Sequence, residues 1–290
     1  MKKKSKNKFA IIIYEAIFAV LALVVVSYAW FTYYKDASTS GINLDVVGAI
    51  NVSISNDNKN WGTSTEITPT ETLKLTELSG DGVNLFSPVM VDRQVKGYTN
   101  ISEFSQTNLS YIEFKFYIKS TGPAVLKYGV GCSVVPIDNT SLKDNIAGAI
   151  RVACFDTTNP TEPKSSVIWA PNSKYQYTAG TNDNKGTVNK AGTVENTYTY
   201  ATGKSTTLKT ISTGGAVNGV SDDKSFVWGD ITEQMVADMN PFLTLNQASN
   251  GSEVTVRIWV EGTDREAVKD LIGGKFKVHL VFKAGDVYEE

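Results

Sequence analysis

Apolar and polar residues take alternate positions in several separate stretches of this chain. Val254, Val256, Ile258 and Val260 occupy every second position of one run, and Phe276, Val278, Leu280 and Phe282 of another. The same period of two carries Ile112, Phe114, Phe116 and Ile118 on one side, with Glu113, Lys115 and Tyr117 on the other. It also carries Ile42, Leu44 and Val46, then Ile50, Val52 and Ile54 beyond Gly48. Successive side chains of a strand point to opposite faces, so each run is a strand with one apolar face. Less regular β runs are expected at 125–135, 149–155 and 167–170. Turn residues separate the runs, as in Ser79-Gly80-Asp81-Gly82, Thr121-Gly122-Pro123 and Asn250-Gly251. Many short strands with one apolar face need a second sheet to cover it. The expectation is therefore an all-β fold, a β-sandwich over residues 42–290.

Helices are expected to be few and short. Thr263-Asp264-Arg265-Glu266 has the spacing of a capping box and opens a predicted helix over 264–272, stopped by Gly273-Gly274. Asp230 is placed to cap a second over 231–239, before Asn240-Pro241. Between about Pro171 and Asp223 the composition turns to Thr, Gly, Asn, Ser and Lys with few aliphatic residues, which predicts a long exposed insertion. Two alternating tyrosine pairs in it, Tyr175 with Tyr177 and Tyr198 with Tyr200, are placed to make a small edge hairpin.

Ahead of the β body lies a different kind of segment. Five lysines (Lys2, Lys3, Lys4, Lys6, Lys8) precede 22 residues, Ala10 to Phe31, in which Glu15 is the only charge. A basic flank before an apolar core engages the membrane-insertion machinery and keeps the lysines in the cytoplasm. The run predicts one N-terminal hydrophobic helix, long enough to span a bilayer. Glu15 also divides it, leaving a signal-peptide-sized core from Ala16 to Val26, and Ser27 with Ala29 supplies the small-x-small pair of a cleavage site between Ala29 and Trp30. Residues 1–29 are thus a signal peptide or a membrane anchor, and 30–41 an aromatic segment or linker. Either way the body belongs outside the membrane, secreted or at the cell surface.

Side-chain chemistry narrows the function. The body from Trp30 onward carries 23 basic and 29 acidic side chains, with no basic patch to bind nucleic acid. His279 is the single histidine and lies on the polar side of its strand, away from Phe276, Val278 and Leu280. That leaves no Ser-His-Asp set, and no Gly-x-Ser-x-Gly turn, phosphate loop or dinucleotide fingerprint accompanies it. Asp222-Asp223 and Asn56-Asp57-Asn58 are the densest oxygen-rich loops but lack calcium-loop spacing, so they read as turns. No enzyme activity, metal or cofactor is expected. Cys132 and Cys154 lie in strand-like runs, as one inter-strand disulfide or as two buried thiols. Trp61, Trp169, Trp228 and Trp259 are expected to pack in the core or under a covered sheet face, although Trp259 shares its side with Thr255 and Arg257.

Two short stretches carry a family resemblance. Ser27-Tyr28-Ala29-Trp30-Phe31-Thr32, followed by Thr39-Ser40-Gly41-Ile42-Asn43-Leu44, resembles the start of TasA/camelysin-type exported proteins of Gram-positive bacteria. The run Val256 to Asp264 is similar to one in exported proteins with such leaders. The resemblance implies a jelly-roll-like sandwich, with an Ig-like one as the alternative, and a place among extracellular-matrix or biofilm fibre subunits. Those assemble by donating an N-terminal strand, which here implies Trp30, Phe31, Tyr33 and Tyr34 as the assembly strand. The partners would then be further copies of the chain or other matrix proteins, with the membrane reached through the leader. The metallopeptidase activity ascribed to camelysins does not carry over, because His-Glu-x-x-His is missing here. Two alternatives stay open: the aromatics form an interfacial belt beside a retained anchor, or the protein is a membrane-anchored adhesin or glycan binder using the polar insertion.

Overall fold

The computed structural model describes residues 39–48, 52–67, 77–91, 94–101, 111–137, 149–159, 167–171, 176–178, 187–189, 197–201, 208–212, 218–261, 275–285 and 287. The hydrophobic leader, Ile50 and the predicted helix at 264–272 lie outside these residues. The first nine strands are β1 Thr39–Gly48, β2 Val52–Ser55, β3 Ser64–Ile67, β4 Glu77–Gly80, β5 Leu85–Val91, β6 Gln94–Asn100, β7 Ile112–Ser120, β8 Ala124–Tyr128 and β9 Ser133–Pro136. Then come β10 Ile150–Asp156, β11 Val167–Ala170, β12 Gln176–Thr178, β13 Thr187–Asn189, β14 Thr197–Ala201, β15 Leu208–Ser212, β16 Gly219–Val220 and β17 Phe226–Trp228. A short helix α1, Glu233–Asp238, precedes β18 Leu243–Leu245, β19 Ser249–Glu261 and β20 Phe276–Gly285. The described body is all-β, as the alternation predicts.

Two mixed sheets dominate. The six-stranded sheet runs β18-β8-β20-β1-β3, with β9 beside β8 along the same edge of β20. The ten-stranded sheet runs β16-β17-β11-β10-β19-β4-β5-β6, and β7 then β2 branch from β19. The longest strand, β19, pairs antiparallel with β10 on one side and with β7 on the other, where β4 takes over in parallel at Val260 and Glu261. The two sheets share one core: Ile42, Leu44, Val278, Leu280 and Phe282 from the first meet Ile118, Val152, Val254, Val256 and Ile258 from the second. Apart from Val152, which comes from a less regular run, these belong to the apolar faces marked by the period-two pattern, and all are buried.

The pairing of β1 is not visible in any local pattern. It runs parallel to β20, from Thr39 opposite Phe276 to Gly48 opposite Ala284, so the first and last of the described strands are neighbours. Its other edge pairs antiparallel with β3 through Ile42 to Asp45. The strand starts at Thr39, so the last residues of the expected 30–41 linker already belong to the sheet.

Other boundaries also shift. The run at 125–135 is two strands, because Gly129 to Cys132 interrupts it, and Gly131 has φ +103°, a conformation suited to glycine. The expected insertion holds two separate hairpins, β12 with β13 and β14 with β15, so Tyr177 and Tyr198 lie in different ones. Its last residues join the body, since β16 pairs with β17 and Ser221 is buried. Helix α1 is capped by Thr232 rather than Asp230: the Thr232 hydroxyl accepts from the Met235 N–H at 3.3 Å. A hydroxyl three residues before that amide suits the N-cap geometry, whereas the Asp230 N–H is tied to Asn218 Oδ1. At its other end Lys127 Nζ donates to the carbonyls of Val236 and Ala237, placing a cation at the negative pole of the helix.

Candidate functional site

The cleavage residues Ala29 and Trp30 and the assembly residues Trp30, Phe31, Tyr33 and Tyr34 lie outside the described residues. What the fold fixes is the strand that follows: four residues separate Tyr34 from Thr39 and the six-stranded sheet. Four residues reach at most about 14 Å. The places where a strand can add are the sheet edges.

Among the described residues, the six-stranded sheet ends at β3, β9 and β18, and the ten-stranded sheet at β2, β6 and β16. Several of these are blunted. The outer side of β2 is taken by an Ile54–Gly62 bridge with two backbone hydrogen bonds. At β9 the Ile137 N–H donates to Lys275 O at 3.0 Å, so the alternating ladder turns the nitrogen of Pro136 outward. A proline there offers no donor, which is a common protection of an edge. The β16 strand has two residues and β18 three, whereas β6 presents seven, Gln94 to Asn100, paired only to β5 among the described strands.

Cys132 and Cys154 are both free, buried thiols, so the disulfide alternative gives way to the other reading. Cys132 stands in the turn of the six-stranded sheet, and Cys154 in β10 of the ten-stranded one. The Cys132 sulfur has its own task. Between β8 and β9 the edge of β20 has no strand beside Val281, and the Gly129 N–H reaches Val281 O at 2.6 Å. Cys132 Sγ completes the gap, accepting from the Val281 N–H and donating to its carbonyl, each at 3.2 Å. A thiol thus serves as a missing ladder residue. Burial pushes Cys132 up to about 12 and raises Cys154 as well, so both stay protonated. In the native protein neither thiol should react with a chromogenic disulfide reagent, and in denaturant without reductant both should; zero thiols in denaturant would mean that they are bonded to each other.

The outer face of the ten-stranded sheet carries a charged cluster at a position where alternation alone left a polar side. Arg257 Nε lies 2.7 Å from Glu113 Oε2 across the β19–β7 pair, and its guanidinium also donates to the carbonyls of Gly82 and Val83. Its guanidinium carbon sits 5.4 Å from the Tyr111 ring centre and 5.3 Å from that of Phe155. Burial raises the Tyr111 phenol pKa, with the Arg257 charge opposing. Beside this cluster lies a second apolar group of Leu78, Leu85, Ile168, Phe226, Trp228 and Trp259. Trp259 is fully buried and donates its Nε1–H to Glu261 at 3.1 Å. Trp169 and Trp228 are buried too, so packing accounts for all three, as expected from the sequence. Trp61 is partly exposed, with Lys119 Nζ 5.8 Å from its ring.

His279 is half-exposed on the outer face of the six-stranded sheet, and its Nε2 lies 2.7 Å from Asp45 Oδ2. It links β20 to β1 and has no nucleophile among its described partners. The Asn56-Asp57-Asn58 loop closes on itself: Asp57 accepts from the backbone N–H groups of Asn60 and Lys59, from the Ser55 hydroxyl and from the Asn60 side chain. These bonds, the Asn60 backbone first, hold its carboxyl well below the usual carboxylate range. Asn58 adopts φ +57°, which asparagine tolerates. Asp223 likewise accepts from Ser221 and Ser225 within its own turn. Among the described residues no three His, Cys, Asp or Glu side chains converge as a metal site would need. No helix among them is long and apolar enough to cross a membrane.

Comparison with protein-family models, with curated proteins and with solved structures finds no match.

Proposed function

We propose that the protein is an exported structural component of a Gram-positive cell surface or extracellular matrix, a fibre subunit joined to its neighbours by strand donation. In this reading the two packed sheets form a jelly-roll-like sandwich, as the leader resemblance implies, and the chain acts by assembly rather than catalysis. The donated segment is Trp30 to Tyr34, aromatic and β-prone, released when the chain is cut after Ala29. The acceptor is β6 of the next copy. The observation that carries this choice is the seven-residue length of that terminal strand, while the described alternatives are shorter, bridged or blunted by Pro136. An added strand would satisfy the backbone groups that a sheet edge leaves open.

Electron microscopy of the protein with and without residues 30–35 tests the reading. The shortened protein should stay a soluble monomer under conditions in which the processed chain forms filaments. Filaments that persist without residues 30–35 would overturn strand donation. The alternative of a surface adhesin or glycan binder rests on the two hairpins β12–β13 and β14–β15, which lie within the polar insertion. Removing residues 183–203 should then abolish cell or glycan binding and leave assembly intact.

A further inference from the structure

We propose that the parallel β1–β20 ladder is a mechanical clamp, which lets the body carry tension applied through its two ends. Seven consecutive residue pairs join the strands, from Ile42 opposite Val278 to Gly48 opposite Ala284, and Thr39 opposite Phe276 stands apart from them across a register shift. Because the strands are parallel, the chain before Thr39 leaves one end of the ladder and the chain after Gly285 leaves the other. Tension between the two drags β1 and β20 along each other in opposite directions. The evenly spaced bonds of a parallel ladder then share the load, and they must fail together. An antiparallel terminal pair would instead present both chain ends at one end of the ladder, where bonds open one after another.

The surroundings of the ladder strengthen the clamp. The free edge of β1 is held by β3, and that of β20 by β8 and β9, so neither strand can tilt away from the other. Ile42, Leu44 and Val46 of β1 and Val278, Leu280 and Phe282 of β20 are buried in the shared core. Sliding by one residue would turn each of these side chains toward the wrong face, so slippage is opposed by packing as well as by hydrogen bonds. On the outer face the Asp45–His279 contact crosses the same seam. A pull applied ahead of Thr39 would therefore act on a strand paired on both of its edges.

Single-molecule stretching in two geometries tests this on the full chain. Handles are attached at Thr39→Cys and Val287→Cys in one protein, and at Thr39→Cys and Lys275→Cys in the other. The second pair takes hold of the ladder at one end only and peels it. The native thiols are buried and stay unlabelled. The expected result is a rupture force about twofold or more higher for the first geometry at equal loading rate, because forced unfolding follows the barrier along the pulled direction. Any smaller difference, or a reversal, would overturn the proposal. Both proteins are checked for native thiol protection before stretching, so a misfolded variant is recognised and replaced by the neighbouring attachment site Lys277→Cys.

Discussion

Truncating Phe282 to alanine is expected to destabilise the body by about 3–5 kcal/mol, the usual range for removing a buried ring. Phe282 is fully buried in β20 at the point where both sheets meet. Its ring stacks on Phe116 of β7 with centroids 5.0 Å apart and an interplanar angle of 9°. Phe242 meets it edge-on at 5.3 Å, and Tyr128 lies 6.4 Å away. Alanine would leave a cavity lined by three rings that cannot collapse together, because each is anchored otherwise. Tyr128, for example, donates its hydroxyl to the carbonyls of Val152 and Val167, at 3.2 and 3.1 Å. Domains of this size are commonly stable by about 5–15 kcal/mol, so the loss is a large part of the whole. Urea unfolding followed by tryptophan fluorescence would show it as a lower midpoint at unchanged slope. The exposed Val47→Ala, also at the β1–β20 seam, should shift the midpoint by less than about 0.5 kcal/mol equivalent. Equal shifts in the two variants would contradict the packing described.

Replacing Arg257 by alanine is expected to cost about 3 kcal/mol or more, for a different reason. Its side chain is only 13% exposed and that of Glu113 15%, so the pair is largely shielded from water. Removing Arg257 takes the ion-pair partner from a shielded carboxylate and releases two carbonyls, those of Gly82 and Val83. The rings of Tyr111 and Phe155 lose the cation between them as well. Glu113→Ala on top of Arg257→Ala should return part of the loss, since the stranded carboxylate is then gone. A double-mutant cycle in urea measures this directly, and strictly additive losses would show that the two charges do not act as a pair. Arg257→Lys should recover little, because an ammonium cannot reproduce the planar contacts to both rings and the fork to the carbonyls.

These two sites also show where a sequence is readable. Phe282 was marked as core by its place in the Phe276, Val278, Leu280, Phe282 alternation, because period two is a local property of the strand. Packing in the core or under a covered face is the expectation for Trp259 despite its polar neighbours Thr255 and Arg257, and the residue is fully buried. The Arg257 cluster gave no such signal. Its partners come from Gly82, Val83, Tyr111, Glu113 and Phe155, and no local pattern encodes which strands will be neighbours. The same holds for β1 beside β20, and for Cys132, whose role follows from a gap beside Val281 that exists only once β8 and β9 are paired with β20. The predicted span of 231–239 falls within two residues of helix α1 because the stop at Asn240-Pro241 is a local signal, whereas the cap is Thr232 and not the expected Asp230. The candidate assembly strand is a matter of sequence alone, and the fold contributes only its four-residue distance from β1.

The adjacency of β1 and β20 also bears on how the chain acquires its shape. A polypeptide that emerges N-terminus first offers β1 long before β20 exists. In that interval β3 is the one described strand able to pair with it, and Ile42, Leu44 and Val46 lack the neighbour that later shelters them. Contacts between residues far apart in sequence form slowly, since the intervening chain must be ordered before they reward it. The six-stranded sheet can close only after Phe276 to Gly285 have appeared. A nascent chain therefore exposes an adhesive β1 edge for most of its synthesis, a state prone to mispairing between molecules. Chains ending before Phe276 should accumulate as aggregates or be degraded, and the slow phase of refolding should be the arrival of the final strand.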